Sequence, residues 1–294
     1  MFSFSGESGK AREMKKSSRF FHLLFFLFAF VFIAGADVTP KPNEVRIVFY
    51  GDTRVGHDIH REIIGNIVRL KPTMVVHTGD AVSGVKSNDW TMFSSIVSPL
   101  LGLSPLYMAR GNHDTRDKYM TSTALSRNEP WYSVTAGNIR VIILDSNEPI
   151  GPGTPQNKWL IGDLAAEENR RAFIVAVFHH PIVSSSAGGH EADEKGWSEV
   201  VTPLFYAYGV DMVVNGHVHA YERLTYQNLT YVITGGGGAP LYAMKEKHPA
   251  SITFLKAHHY AVLTESGGVF TLDSYDLSGN TIDHTIIDNI DRND

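Results

Sequence analysis

The sequence predicts an α/β fold in which two mixed β-sheets pack face to face as a sandwich flanked by helices. Three observations predict it. From Val45 onward, short β-branched apolar runs alternate with amphipathic segments, the rhythm of strand–helix units. Most of those runs are apolar throughout, as expected of strands buried on both faces. After Ala220 the pattern changes to strand-like runs separated by turn signals without helices between them, which is antiparallel structure closing the domain.

The elements follow in order. VRIVFY (45–50) reads as a strand and Asp58 to Leu70 as a helix; MVVHT (74–78) and Asp89 to Leu101 repeat the pair, and PLYMA (105–109) adds a strand. IRVIILD (139–145) precedes a helix with Thr154 as cap and Pro155 in its first turn. AFIVAVF (172–178), a helix near Gly196 to Tyr208 and VDMVV (210–214) complete the first part. ERLTYQ, TYVITG, YAVLTE, GVFTLDSYD and TIDHTII form the second, with turns at Ser266-Gly267-Gly268 and Ser278-Gly279-Asn280. Gly235 to Gly238 lacks the lysine and hydroxyl residue of a phosphate loop and reads as a tight turn.

A chain of 294 residues with 43% hydrophobic and 19% charged residues supports a large packed core and excludes a disordered or fibrous protein. The absence of cysteine excludes a disulfide framework, a thiolate metal site and a cysteine nucleophile. Any metal must be held by histidine, carboxylate, amide or water.

In residues 1–36, five basic residues face two acidic ones, so the rest of the chain carries -8 of a total of -5. That acidic body is a poor match for binding long nucleic acid through clustered lysine and arginine, and no nucleic-acid partner is expected. Phe20 to Ala36 is an uncharged run of 17 residues behind the basic stretch and ends in Ala34-Gly35-Ala36. This is the layout of a signal peptide over 1–36, implying export to a periplasmic, extracellular or lumenal space. Retention as an uncleaved membrane anchor is the alternative. Residues 37–44, with two prolines, read as a linker and 45–294 as the folded body. Asn228-Leu229-Thr230 is a glycosylation acceptor pattern.

Function is written at the strand ends. Tyr50-Gly51-Asp52, Gly79-Asp80, Gly111-Asn112-His113-Asp114, His179-His180-Pro181 and Gly216-His217-Val218-His219 each close an apolar strand with a metal-capable group. In α/β sheets that edge is where rigid strands present loop side chains. Carboxylates, an amide oxygen and imidazoles suit ions of the zinc, manganese and iron group, and one carboxylate can bridge two of them. Two such ions about 3.5–4 Å apart clamp a phosphoryl group during in-line displacement.

These motifs in this order resemble the calcineurin-like metallophosphoesterase family, and GHVHAYER (Gly216 to Arg223) is similar to its purple acid phosphatase branch. The resemblance runs from Val45 to Ile287 and makes 45–294 the catalytic domain. It implies Asp80 as a carboxylate bridging two divalent ions (manganese, iron or zinc), with Asn112, His179 and His217 completing one site and Asp52 and His219 the other. It implies His113 as the residue that binds the substrate phosphate and helps the leaving group depart. The implied reaction is attack on a small phosphomonoester by a hydroxide held between the ions. A phosphodiesterase and a catalytically weak metal- or phosphate-binding protein are the alternatives.

The sequence departs from the family at Arg54, where many members have histidine and purple members glycine, and at Ser83, where purple members have tyrosine. The first argues for a weaker first metal and the second against a ferric chromophore. Arg54 is weighed as a substrate-phosphate contact against an ordinary surface arginine. His190, in the loop after the His179 strand, is weighed as a substrate-facing residue against a solvated one. His77 reads as a buried hydrogen-bonding residue, His57 and His60 as helix-start and helix-surface residues. Extended-chain alternation turns His180 away from the site and leaves Asp114 as at most an orienting group for His113. His258 and His259 are candidates to approach the site. Trp131, Tyr132 and Tyr221 are weighed as cleft-lining against core aromatics.

Overall fold

The computed structural model describes residues 43–84, 87–122, 129–166 and 172–288. The expected signal or anchor over 1–36 lies outside the described residues, as do residues 37–42 of the expected linker. Among the described residues, no helix is long and apolar enough to cross a membrane.

In chain order the first elements are β1 (Val45–Tyr50), α1 (His57–Leu70), β2 (Met74–His77), α2 (Ser87–Leu101), β3 (Leu106–Met108), α3 (Arg116–Ser122), β4 (Tyr132–Ala136) and β5 (Ile139–Ile143). Then come α4 (Pro155–Leu164), β6 (Phe173–Val177), β7 (Ser186–Ala187), α5 (Ser198–Ala207), β8 (Met212–Asn215), β9 (Tyr221–Tyr226) and β10 (Leu229–Thr234). The last are β11 (Met244–Glu246), β12 (Ser251–Leu255), β13 (His259–Ser266), β14 (Val269–Asp276) and β15 (Thr281–Ile287).

One six-stranded sheet has the order β15-β14-β13-β1-β2-β3, and one seven-stranded sheet the order β12-β9-β10-β8-β6-β5-β4. Both are mixed: β1, β2 and β3 run parallel, as do β5, β6, β8 and β10, while the outer pairings are antiparallel. The β7–β11 pair stands apart.

Side-chain alternation explains the layering. Along β1, Ile47 and Phe49 enter the core between the sheets, whereas Val48 and Tyr50 join Ile63, Ile67 and Phe93 of α1 and α2. Along β6, Phe173, Val175 and Val177 face the inter-sheet core and Ile174 and Ala176 face Leu160 of α4 and Val201 of α5. Each such buried side chain contributes about 1.5–3 kcal/mol of transfer free energy. Phe173 and Phe270 stack across the gap with ring centroids 4.0 Å apart.

Strands β4 and β12 and helix α3 go beyond the elements read from the sequence. Both strands are sheet edges with mixed exposure, which removes the apolar run that marks a central strand. Helix α5 starts two residues after Gly196 because Asp193 Oδ1 accepts hydrogen bonds from the Trp197 and Ser198 N–H groups at 2.7 and 3.0 Å. His60 is not a helix-surface residue: it is buried beside Tyr50 and Phe93, and burial pushes its pKa down to about 3. Tyr132 and Tyr221 are core residues rather than cleft residues.

A polar clasp joins the sheets. Tyr221 Oη of β9 donates to Asp283 Oδ2 of β15 at 2.7 Å, and Arg223 donates to both Asp283 oxygens at 2.5 and 3.1 Å. Burial alone would raise the Asp283 pKa, but Arg223 and Tyr221 hold it below the ordinary value. A depressed carboxylate contributes stability above its unfolded pKa and loses it as pH falls. Asp283→Asn is therefore expected to lower stability by about 1.5–3 kcal/mol at neutral pH. In urea melts across pH, the gap to the native protein should close below about pH 4.

Candidate metal centre

The parallel strands of both sheets end on one edge, and their next residues meet there. Asp52 follows β1, Asp80 follows β2, Asn112 and His113 follow β3, His179 follows β6, and His217 and His219 follow β8. All six expected ligands lie together; Asp52, Asp80, His179, His217 and His219 are buried and Asn112 is exposed. Asp52, Asp80 and His217 sit in left-handed backbone at φ of 59°, 56° and 69°. Each such residue costs about 1–3 kcal/mol, a strain characteristic of functional sites.

A dense lattice holds those turns. The Asp52 N–H donates to Gly79 O at 2.9 Å, and the Thr53 and Arg54 N–H groups reach Asp80 O at 3.1 and 3.3 Å. His77, buried as expected, accepts from the Gly79 N–H at Nδ1, so Nε2 carries the proton and donates to Thr53 Oγ1 at 3.2 Å. Thr53 Oγ1 in turn donates to Ala81 O at 3.2 Å. Asp114 Oδ2 accepts from the Asp80 and Gly111 N–H groups at 2.9 and 3.0 Å, and Oδ1 from Val82 N–H at 3.2 Å. Asp114 thus orients Asp80 rather than His113. Burial and the Asp80 carboxylate push its pKa up to about 7 against the pull of those N–H groups. Gly111 is required because a Cβ there would lie 2.2 Å from Asp80 N.

The donor atoms fall into two subsites that share Asp80. Asp80 Oδ1 is 3.5 Å from His179 Nε2, and Asn112 Oδ1 is 3.1 Å from both His179 Nε2 and His217 Nδ1. Asp80 Oδ2 faces the other way, 3.5 Å from Arg54 Nε. There Asp52 Oδ1 lies 3.4 Å from His219 Nε2 and has no hydrogen-bond partner although buried.

Each imidazole is fixed from behind. His179 Nδ1 donates to Thr78 O at 2.9 Å, His219 Nδ1 to Pro240 O at 2.8 Å and His217 Nε2 to Glu194 Oε2 at 3.2 Å. An oxygen acceptor on the far nitrogen is how metal-binding histidines are oriented. Burial and the neighbouring histidines hold the His217 pKa far below its ordinary value, so its single proton is spent on Glu194. His217 Nδ1 and Asn112 Oδ1 then meet as two acceptors 3.1 Å apart, an arrangement that a cation coordinated by both relieves. The donor set therefore fits a divalent ion at Asp80, Asn112, His179 and His217. His179 is raised above its ordinary pKa: burial lowers it, but Asp80 and Asp52 outweigh burial.

His113 stands at the mouth, a third exposed, with its N–H donating to Asp80 Oδ1 at 2.9 Å. Its pKa is lowered by burial, with Asp80 opposing. Arg54 points inward: Nη1 donates to His113 Nε2 at 2.5 Å and Nη2 lies 3.4 Å from His219 Nε2. A cavity of about 320 Å³ opens beside it, lined by Val55, His57, Ser83, Asp89 and Phe93. His190 flanks the site with its ring 4.2 Å from that of His217, and its Nδ1 bonds Glu194 Oε1 at 3.0 Å.

Several residues differ from the sequence reading. His180 turns toward the site, its ring 4.4 Å from that of His217, because the chain leaves the extended form after Val177 and alternation no longer applies. Its Nδ1 pairs with Ser146 Oγ at 2.7 Å, and burial pushes its pKa down to about 2. The run Gly235 to Gly238 is not a tight turn but a support: Gly237 N–H donates to Gly51 O and Ala239 N–H to Asp52 O, both at 2.8 Å. A Cβ on Gly237 would lie 2.2 Å from Gly51 O. His258 binds Gly236 O in that support. Glu194 and Tyr242, whose ring stacks on His219 at 4.1 Å, escaped the sequence reading. Glu194 lies in a charged loop without a motif, and Tyr242 is remote in sequence from every candidate ligand.

Known proteins share this architecture. Purple acid phosphatase 18 of Arabidopsis thaliana is 30% identical over 187 residues, covering 55% of this chain and 42% of that protein. A purple acid phosphatase of Glycine max is 34% identical over 113 residues, 38% of this chain and 24% of that protein. The chain spans less than half the length of these curated relatives. Among solved structures, purple acid phosphatase PPD1 of yellow lupin (Lupinus luteus) seeds matches with a TM-score of 0.73 at 21% identity, over 85% of this chain and 54% of that one. GAP50, the anchor in the inner membrane complex of Plasmodium, matches with a TM-score of 0.68 at 17% identity, over 83% of this chain and 89% of that one. The family model of calcineurin-like phosphoesterases matches residues 45–221, more than half of the sequence, and the chain belongs to that family.

Proposed function

We propose that this chain is an exported, metal-dependent hydrolase of small phosphomonoesters, working at Asp52, Asp80, Asn112, His179, His217 and His219 with divalent manganese, iron or zinc. The observation that carries the reading is the convergence of His217 Nδ1 and His179 Nε2 on Asn112 Oδ1, each at 3.1 Å, with His217 held from behind by Glu194. Similarity to purple acid phosphatases supports the monoester assignment. Export rests on the basic, apolar and small-residue pattern of residues 1–36, and an uncleaved segment would make the chain membrane-anchored.

Divalent ions supply Lewis-acid stabilisation of the phosphoryl oxygens and acidify the attacking water. The protein's residues do the rest. Asp80 presents its two oxygens to the two subsites, so the groups on either side act on one phosphorus. As water adds at phosphorus and the ester P–O bond breaks, the departing alkoxide takes the Nδ1 proton of His113, whose Nε2 accepts from Arg54, and the proton released by the attacking water restores His113 through solvent at the mouth. Arg54 offers its guanidinium fork to the phosphate, and His190 lines the same rim.

With the metal-loaded chain and a generic aryl phosphomonoester beside its diester, monoester turnover should dominate. Asn112→Ala should reduce kcat/KM about 100-fold or more, the scale of several kcal/mol of lost charge stabilisation. A preference for the diester would move the assignment to a phosphodiesterase, and no turnover with any ion would leave a metal- or phosphate-binding protein. Glu194→Ala, which removes the acceptor behind His217, should weaken metal affinity by about 10–100-fold in calorimetric titrations. An unchanged affinity would mean that Glu194 does not orient the ligand.

A further inference from the structure

The two subsites that share Asp80 are not equivalent, and the difference is one side chain. Around Asn112, His179 and His217 no arginine or lysine among the described residues hydrogen-bonds a donor atom. Around Asp52 and His219 it places the Arg54 guanidinium, with Nη2 3.4 Å from His219 Nε2, Nε 3.5 Å from Asp80 Oδ2 and Nη1 2.5 Å from His113 Nε2. An ion coordinated by Asp80 Oδ2 and His219 Nε2 at about 2.0–2.2 Å would have to sit against this charge.

The loop is built to keep Arg54 there. The next residue, Val55, stands in left-handed backbone at φ 61° and is 62% exposed, a strained position for a β-branched residue with little packing to offset it. The turn is closed by the Gly56 N–H to Arg54 O bond at 2.9 Å, while the Arg54 N–H is tied to Asp80 O. From the other side the Tyr242 ring stacks on that of His219 with centroids 4.1 Å apart.

We propose that Arg54 takes the electrostatic place of one of two ions. The chain then holds one divalent ion firmly, at Asp80, Asn112, His179 and His217, and the Arg54 guanidinium is the fixed second cation that receives the substrate phosphate. This rests on the reading of the site as a phosphoester hydrolase and narrows it to a one-ion, one-arginine centre.

The test counts ions. The native full chain, Arg54→His and Arg54→Met are stripped with chelator, equilibrated with zinc or manganese, desalted and measured by elemental analysis, with thermal melts to show that each is folded. The expected result is about one ion per native chain and about two in Arg54→His, which gains an imidazole and loses a charge. Arg54→Met, which keeps the side-chain bulk, should bind the second ion about 10-fold or more tightly than the native chain, on the scale of a lost charge contact near a metal. Arg54→Met should also raise KM for the phosphomonoester more than it lowers kcat. Two equally tight ions in the native chain, or the same second-ion affinity in all three proteins, would overturn the inference while leaving metal-dependent hydrolysis standing. No ion in any of them would remove both together.

Discussion

Everything at this site depends on Asp80 being held where an aspartate does not rest by preference. Its backbone is left-handed, its N–H is taken by the buried Asp114 carboxylate, and its carbonyl receives N–H groups from Thr53 and Arg54. Its Oδ1 is fixed by the His113 N–H, so the two oxygens are aimed in two directions before any ligand arrives. Were this turn to relax, the Asp52 loop and the Asn112 loop would lose their common anchor, and two subsites would cease to share an atom pair. Polar groups fixed in advance in a dry environment are what stabilise developing charge at low reorganisation cost.

The sandwich makes that strain tolerable. The parallel strands of both sheets bring their C-terminal ends to one edge, and the core between the sheets beneath it buries Ile47, Val175, Phe173 and Phe270 completely or nearly so. Several left-handed residues at about 1–3 kcal/mol each are sustainable only above a core of this size. The same edge accepts the Gly235 to Gly238 segment, whose lack of side chains lets it lean on the Asp52 loop. In open α/β sheets this is the edge at which ligands bind.

The candidate ligands are legible because each closes an apolar strand, and an apolar strand fixes where its next residue emerges. The two-sheet architecture was legible for a related reason, since Val48 and Tyr50 must face helices if Ile47 and Phe49 face the other sheet. What could not be read were residues whose role depends on a turn. His180 and Asp114 were assigned by extended-chain alternation, which fails as soon as the backbone bends. Tyr242 and Glu194 reach the site from loops with no periodic signal, and strands β4 and β12 lack the apolar run because they are edges. Arg54 was visible as a departure from the family, but its contacts with His113 and His219 belong to tertiary structure.

The most direct test is a crystal structure of the manganese- or zinc-loaded chain, with anomalous scattering used to locate the ion. The expected result is a peak coordinated by Asp80 Oδ1, Asn112 Oδ1, His179 Nε2 and His217 Nδ1, with Glu194 still bonded to His217 Nε2. An ion bound elsewhere, or His217 coordinating through Nε2 with Glu194 as a fellow ligand, would contradict it.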